Sequence, residues 1–476
     1  MGALGGLLFG FDTAVISGTT SSLVQAFSLS PRELGFTVAI ALCGTVFGAI
    51  TAGPLESRYG GRDMLRVMAL LYLLSAIGCA FAPNWTDLLA ARFLGGIGIG
   101  GSSVLGPVYI AEISPTRLRG RLVGMFQINI VLGVLCAYLS NYLIARANFG
   151  AANWRWDFGM ALCPALLFIL MLFGIPNSPR WLAAKGRNIE AMDALALMGS
   201  EDAAGDLNKI TASILEDSLD SKESLFQWKY RTPIFLAVSI AMFNQLTGIN
   251  AITYYLNDIF ASAGFNQLSG NLQAVAFGAM NLFATLIGMS LIDKLGRKTL
   301  LLIGSVGTMF SLAGVALVFA MKAHRDWLLP LLVIYIFFFA GSQGSVIWVY
   351  LSEVFPTRVR GKGQSLGCST HWIINALISA SFPIVAKSSG AIPFAFFGCM
   401  MAVQFVVVKA FYPETKNVSL EEIQHLLGVE ASPMRQTQLQ LRLPEAKEPG
   451  NGLDGKRALE QAIANRKRSI RTKGGI

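Results

Sequence analysis

The chain has 476 residues, of which 53% are hydrophobic and only 14% charged, with a formal net charge of +10 and a mean hydropathy of +0.54. A soluble domain carries roughly 25% charged residues, so this chain has too little charge to cover a water-facing surface. That excludes a soluble enzyme, a disordered scaffold and a secreted disulfide-framework protein, and it leaves a polytopic, all-α membrane protein.

Twelve apolar segments are predicted to cross the bilayer, at residues 3–27, 34–56, 65–82, 88–111, 122–145, 155–175, 233–262, 271–292, 299–321, 327–353, 364–386 and 391–412. Each is long enough for a hydrocarbon core about 30 Å thick. The first has neither a positive leader nor an A-x-A site, so it reads as a retained helix rather than a signal peptide. It contains Asp12, and an intramembrane carboxylate is costly and by default a functional candidate. The fourth carries Gly96-Ile-Gly98-Ile-Gly100-Gly101, a literal G-x-G-x-x-G. A dinucleotide site needs a strand before it, whereas glycines inside a membrane helix permit close helix packing. The longest polar interruption, 176–231, separates the sixth and seventh segments and holds weakly helical stretches at Asn188–Met198 and Leu207–Leu219. The expected organisation is a six-helix half over 1–175, a cytoplasmic linker with short helices over 176–231, a second six-helix half over 232–412, a cytoplasmic helix over 413–427, and a basic, disordered cytoplasmic tail over 428–476.

Lys/Arg asymmetry orients the chain. The loops on one side hold 19 Lys/Arg and the region from Lys409 adds 12, against six on the other side (Arg32, Arg146, Arg155, Lys322, Arg325 and Lys387). Both termini are therefore expected in the cytoplasm. Residues 428–476, with ten Lys/Arg against five Asp/Glu, supply half of the net charge of +10, and this distribution speaks for topology rather than for nucleic acid. The halves repeat one another. PVYIAEISPTRLRGR (Pro107–Arg121) recurs as WVYLSEVFPTRVRGK (Trp348–Lys362), and LESRYGGRD (Leu55–Asp63) as LIDKLGRKT (Leu291–Thr299). Parallel six-helix repeats are an architecture of secondary transporters, with substrate bound at their interface. The six cysteines form no C-x-x-C pair and the three histidines are scattered, so no metal site or cofactor is expected. With no Walker motif and no nucleophile motif, the chain reads as neither an ATP motor nor an enzyme, and transport must draw on a gradient.

Several blocks resemble the sugar porters of the major facilitator superfamily: GGLLFGFDTAVISG (Gly5–Gly18), ARFLGGIGIGG (Ala91–Gly101), PNSPRWL (Pro176–Leu182), NQLTGINAITYY (Asn244–Tyr255), and PETK followed by SLEEI (Pro413–Ile423). They are similar to those of bacterial proton–xylose and proton–galactose symporters and of glucose facilitators. The resemblance implies the twelve-helix major facilitator fold and a monosaccharide substrate. It matches Asp12 and Arg92 to the proton-coupling pair. Burial favours the neutral form of a carboxylic acid and a nearby cation favours the charged form, so such a pair couples protonation to conformation, unless it is a static ion pair that fixes packing. The resemblance also assigns Gln127, Gln245, Asn250, Asn281, Trp348, Trp372 and Asn375 to sugar binding, with Asn244 and His371 beside them. Amides and aromatic rings suit the hydroxyls and apolar face of a neutral sugar, although any single amide can equally be an interhelical hydrogen-bonder. Tyr254 and Tyr255 resemble gate residues. Arg62, Glu112 and Arg119 in one half, and Arg297, Glu353 and Arg360 in the other, resemble a cytoplasmic salt-bridge latch.

The chain departs from the family pattern in places. Phe11 replaces the usual tyrosine, Ser57 and Gly61 replace an acid and an arginine of the first loop, and Asn177 replaces an acid. Ser345 replaces a proline, and Asn244 and His371 stand where glutamines are usual. A weaker N-terminal latch and an open preference among hexoses, pentoses and polyols follow. His371 is read as a sugar hydrogen-bond donor, a packing residue or a source of pH dependence. The expectation is a monomeric, multi-pass transporter of the cell membrane that imports a monosaccharide with a proton by alternating access. The alternatives are a facilitative uniporter and, on the strength of the basic tail, a non-transporting sugar sensor.

Overall fold

The computed structural model describes residues 3–114, 119–200, 202–220, 224–356, 359–416, 418, 422–423 and 427, without the side chains of 119–121 and 215–220. The tail from 428 and most of the expected 413–427 helix therefore lie outside the described residues. Among those described, twelve spans are long and apolar enough to cross a membrane.

The first half comprises α1 (Leu4–Phe27), α2 (Pro31–Tyr59), α3 (Gly61–Phe81), α4 (Trp85–Ile113), α5 (Arg119–Ala147) and a sixth span split into α6 (Asn153–Gly159) and α7 (Leu162–Leu172). The split has a local cause. Pro164 has no N–H to offer the Met160 carbonyl, so the helical ladder breaks one turn earlier. Three short helices follow in the linker: α8 (Pro179–Ala184), α9 (Asn188–Leu197) and α10 (Ala203–Asp220). They pack through their own small apolar core, with Leu182, Ala191, Ala194 and Leu195 buried.

In the second half the seventh span is broken into α11 (Arg231–Leu246), α12 (Ile249–Tyr254) and α13 (Leu256–Ser262). Gly248 makes the first break with φ +81°, a conformation that only glycine adopts without strain, and a Cβ there would lie 2.3 Å from the Phe397 ring. Next come α14 (Gln267–Leu295) and α15 (Arg297–Met321), a tenth span split into α16 (Leu328–Ala340) and α17 (Gln343–Glu353), then α18 (Arg360–Ser388) and α19 (Ala391–Phe411). At the tenth-span break the Ser345 hydroxyl donates to the Ala340 carbonyl at 2.8 Å, occupying an acceptor that the interrupted ladder leaves open.

The repeat seen in the sequence is carried into the helices. Helix α2 has 29 residues, as does α14, and their first residues, Pro31 and Gln267, stand 267 − 31 = 236 positions apart. Helices α5 and α18 also have 29 residues each and begin 360 − 119 = 241 positions apart. The turns after α2 and α14 use Gly60 and Gly296 at φ +93° and +88°. The halves meet where α2 runs along α18 and α5 along α14. These two seams are one contact made twice, because the paired helices are repeat equivalents.

Within the first half, the fourth-helix glycines lie against α2. A Cβ on Gly96 would sit 1.9 Å from the Ala41 carbonyl oxygen, and one on Gly100 would sit 2.0 Å from that of Thr45. Their literal nucleotide motif is thus a packing surface, where missing side chains let two backbones touch.

Candidate functional site

Arg92 approaches from α4, where it is 3% exposed, and its Nη1 donates to both carboxylate oxygens of Asp12 at 3.2 and 3.3 Å. Asp12 retains 16% side-chain exposure. The guanidinium carbon lies 5.5 Å from the centre of the Phe158 ring, and its Nε is buried without a partner. A buried cation thus has one carboxylate and one aromatic face to hold it. Its partner is a group that a proton can neutralise.

Across the seam, three of the six amides expected in the sugar site, Asn244, Gln245 and Asn250, form one hydrogen-bonded chain. Gln245 is its centre, at the end of α11 where the helix breaks before Gly248. Its Nε2 lies 3.0 Å from His371 Nε2 and 3.3 Å from Asn244 Oδ1, and its Oε1 accepts from Asn250 at 2.9 Å. Asn244 in turn donates to the Gln343 carbonyl at 3.4 Å. The His371 ring sits between Trp348 and Trp372, at 5.2 and 5.0 Å. Asn375 is fully buried one turn beyond His371 and donates to the Tyr254 hydroxyl at 3.4 Å. Gln127 and Asn281 are half-buried on α5 and α14, the helices of one seam, and neither joins the Gln245 chain.

A small cavity links the two groups: Phe9, Asp12, Thr13 and Arg92 line it from the first half, and Tyr254 and Trp372 from the second. Phe9 and Trp372 face each other across it with ring centres 5.5 Å apart. The carboxylate–guanidinium pair and the aromatic edge of the amide chain therefore share one space.

Residues 1–427 match the model of the family described as Sugar (and other) transporter. The chain belongs to that family. It is 34% identical over 472 residues to the D-xylose-proton symporter of Escherichia coli (strain K12), covering 91% of this chain and 96% of that relative. It is 35% identical over 431 residues to the arabinose-proton symporter of Bacillus subtilis (strain 168), covering 89% and 93%. A solved inward-open structure of the E. coli xylose transporter superposes with a TM-score of 0.79 at 34% identity, covering 89% of this chain and 98% of that one. The transporter is thus a multi-pass membrane protein of the major facilitator fold.

Its seam is closed at one end. The Thr20 hydroxyl on α1 donates to Asp258 Oδ1 on α13 at 2.9 Å. Tyr138 on α5 donates to the Thr253 carbonyl on α12 at 3.1 Å, and Asn271 on α14 to the Asn141 carbonyl on α5 at 3.4 Å. All three lie at the end opposite the basic loops. Tyr254 and Tyr255 lie buried just beneath, and the Tyr255 hydroxyl donates to the Ser379 carbonyl at 2.9 Å.

At the basic end the latch residues pair unevenly. Arg297 Nη2 meets Glu353 Oε1 at 2.8 Å, and Thr415 donates to the other Glu353 oxygen at 2.6 Å. In the first half, Arg62 instead turns to Asp63 at 3.0 Å, and Glu112 Oε2 is buried without a partner. Arg360 donates from Nε to the Phe355 carbonyl at 3.4 Å, and the Arg119 side chain lies outside the described residues. The altered first loop gives a reason: Asp63 follows Arg62 directly, and no acid stands at Ser57.

Two acidic residues escaped the sequence reading. Asp258 closes the seam, yet only packing brings it to Thr20. Asp157, 3% exposed in α6, has a buried Oδ1 without a partner. Asp258 lies inside the seventh predicted span and Asp157 inside the sixth, so the rule that selected Asp12 would have found both.

Proposed function

We propose that the transporter imports a neutral monosaccharide, a hexose or pentose, together with a proton by alternating access. The observation that carries this reading is the cavity shared by Asp12–Arg92 and by Tyr254 and Trp372. Protonation of Asp12 removes the carboxylate that holds Arg92, which lies one helix away from the seam. Sugar bound along the Gln245 amides and the Trp348–His371–Trp372 face engages α11, α17 and α18. The two ligands thus meet through α18, whose Trp372 borders the space that holds Asp12 and Arg92, so their binding energies are linked, and the linkage is reciprocal. No charged side chain belongs to the Gln245 amide chain, which favours an uncharged polyol over an organic cation or a sugar phosphate.

In this reading the basic end is cytoplasmic by the charge bias of its loops, both termini are inside, and the protein acts as a monomer in the cell membrane. The closed seam then belongs to an inward-facing state, which supports import by rocking of the two halves. Gln127 and Asn281 complete the sugar site from the seam helices when the halves close around substrate. Arg297, Glu353 and Arg360, with Arg62, Glu112 and Arg119, hold the cytoplasmic end shut in the alternate state.

The test is uptake of labelled xylose, arabinose, glucose and galactose into proteoliposomes, with and without an inward proton gradient. Accumulation above equilibrium only with the gradient is expected. Equilibration that ignores the gradient would make this a facilitator, with Asp12–Arg92 a structural pair. Sugar binding without uptake would favour a sensor. Neither binding nor uptake would remove the sugar assignment.

A further inference from the structure

The outer surface of the seventh span, at its basic end, has a feature that transport does not use. Phe226 and Trp228 are 77% and 79% exposed, more than any aromatic side chain inside the bundle. Trp228 stands just before α11, at the head of a span, the depth at which tryptophan settles between hydrocarbon and headgroups. From there an open, shallow groove of about 540 Å³ runs along α11. Ile234, Val238 and Met242 recur every four residues along it and so form a single apolar stripe. The one hydroxyl in its wall, that of Ser239, is already paired with Tyr412 at 2.8 Å. Along α11 the groove is therefore an apolar trough, and its other polar lining residues, Gln227 and Arg231, stand at its head.

Its upper rim is cationic. The Arg231 guanidinium carbon lies 4.6 Å from the Trp228 ring centre, and Lys229 Nζ lies 4.8 Å from that of Tyr230. Both basic residues are exposed; Arg231 lines the groove, Lys229 flanks it in sequence, and no described residue lining the groove is acidic. Stacking holds the guanidinium at the mouth of the trough, where its planar donors suit a phosphodiester.

We propose that this groove is a binding site for an anionic glycerophospholipid, with an acyl chain along Ile234, Val238 and Met242 and the headgroup phosphate against Arg231 and Lys229. The charge of the rim selects an anionic headgroup over a zwitterionic one. The apolar length below it selects a lipid over a soluble anion. The site depends on the chain spanning a membrane and not on which solute it carries.

The test is native mass spectrometry of the full-length, delipidated protein offered phosphatidylglycerol or phosphatidylcholine of the same acyl chains. Wild type is expected to retain phosphatidylglycerol preferentially. Each basic residue near an anionic surface is worth roughly fivefold in affinity, so the double variant Lys229→Gln/Arg231→Gln should lose about 30-fold for phosphatidylglycerol and little for phosphatidylcholine. Val238→Trp, which fills the trough, should weaken both lipids alike. Equal retention of the two lipids by wild type overturns the proposal whatever the variants do. So does an unchanged preference in the folded double variant, or a dimer through this face that phosphatidylglycerol does not displace.

Discussion

Replacing Asp12 by asparagine tests the coupling reading most directly. The change keeps the size and one acceptor oxygen, so one of the two contacts that Arg92 makes at 3.2 and 3.3 Å can persist. What is lost is the charge that balances a guanidinium only 3% exposed. Removing one partner of a buried ion pair costs about 3–5 kcal/mol. The retained hydrogen bond and the Phe158 face 5.5 Å away place this case near the lower end, about 3 kcal/mol. Folding should therefore weaken measurably but survive, and Asp12→Asn/Arg92→Gln should recover part of the loss, since it removes the stranded charge. The transport consequence is larger. An inward gradient of one pH unit is worth about 1.4 kcal/mol per proton, and so supports about tenfold sugar accumulation at one proton per sugar. Asp12→Asn should lower that ratio to unity while leaving sugar exchange between equilibrated compartments intact. Proteoliposome uptake and counterflow measure the two separately. A variant that still accumulates sugar tenfold would refute the assignment of the proton to Asp12.

Three further outcomes are expected. Gln245→Ala removes the hub that joins Asn250 and His371, and stranding those buried groups should raise the sugar KM roughly 10- to 100-fold; an unchanged KM would separate this chain from the binding site. Thr20→Val deletes the donor to Asp258 at the closed seam, and a lost hydrogen bond to a carboxylate should shift the conformational balance about tenfold toward opening at that end. Labelling of a Val24→Cys probe on a cysteine-free background reads the shift, and an unaltered rate would count against a closing role for Thr20–Asp258. Gly96→Ala drives a methyl to within 1.9 Å of the Ala41 carbonyl, which should cost about 1–3 kcal/mol or more and lower the melting temperature. Gly53→Ala in α2, where nothing lies within 4 Å of the new Cβ, serves as the control; equal effects at both positions would remove the packing account of the fourth-helix glycines.

The membrane spans and the duplication were legible from the chain alone because each is a one-dimensional property. An apolar run of about 20 residues must cross the bilayer whatever its neighbours are. A repeat offset of 236 or 241 positions survives in the helix limits of α2/α14 and α5/α18 because equivalent sequences fold alike. The intramembrane charge at Asp12 was equally visible, since its rarity in such a segment needs no structure to notice.

What the tertiary structure decided is distance across the sequence. Asp12 and Arg92 are 80 positions apart, and whether they meet depends on how α4 packs beside α1. Thr20 and Asp258 are 238 positions apart, and they meet only because one end of the seam is closed. The uneven pairing at the basic end is different: Gly61 stands at the repeat position of Arg297, so the sequence already showed the missing arginine, and the structure adds only that Arg62 turns to Asp63 while Arg297 reaches Glu353. Hydropathy and charge bias place each residue along the membrane normal, because lipid and water act on every residue independently. Its partner is set by packing between helices, where the energy belongs to pairs and no single position carries it.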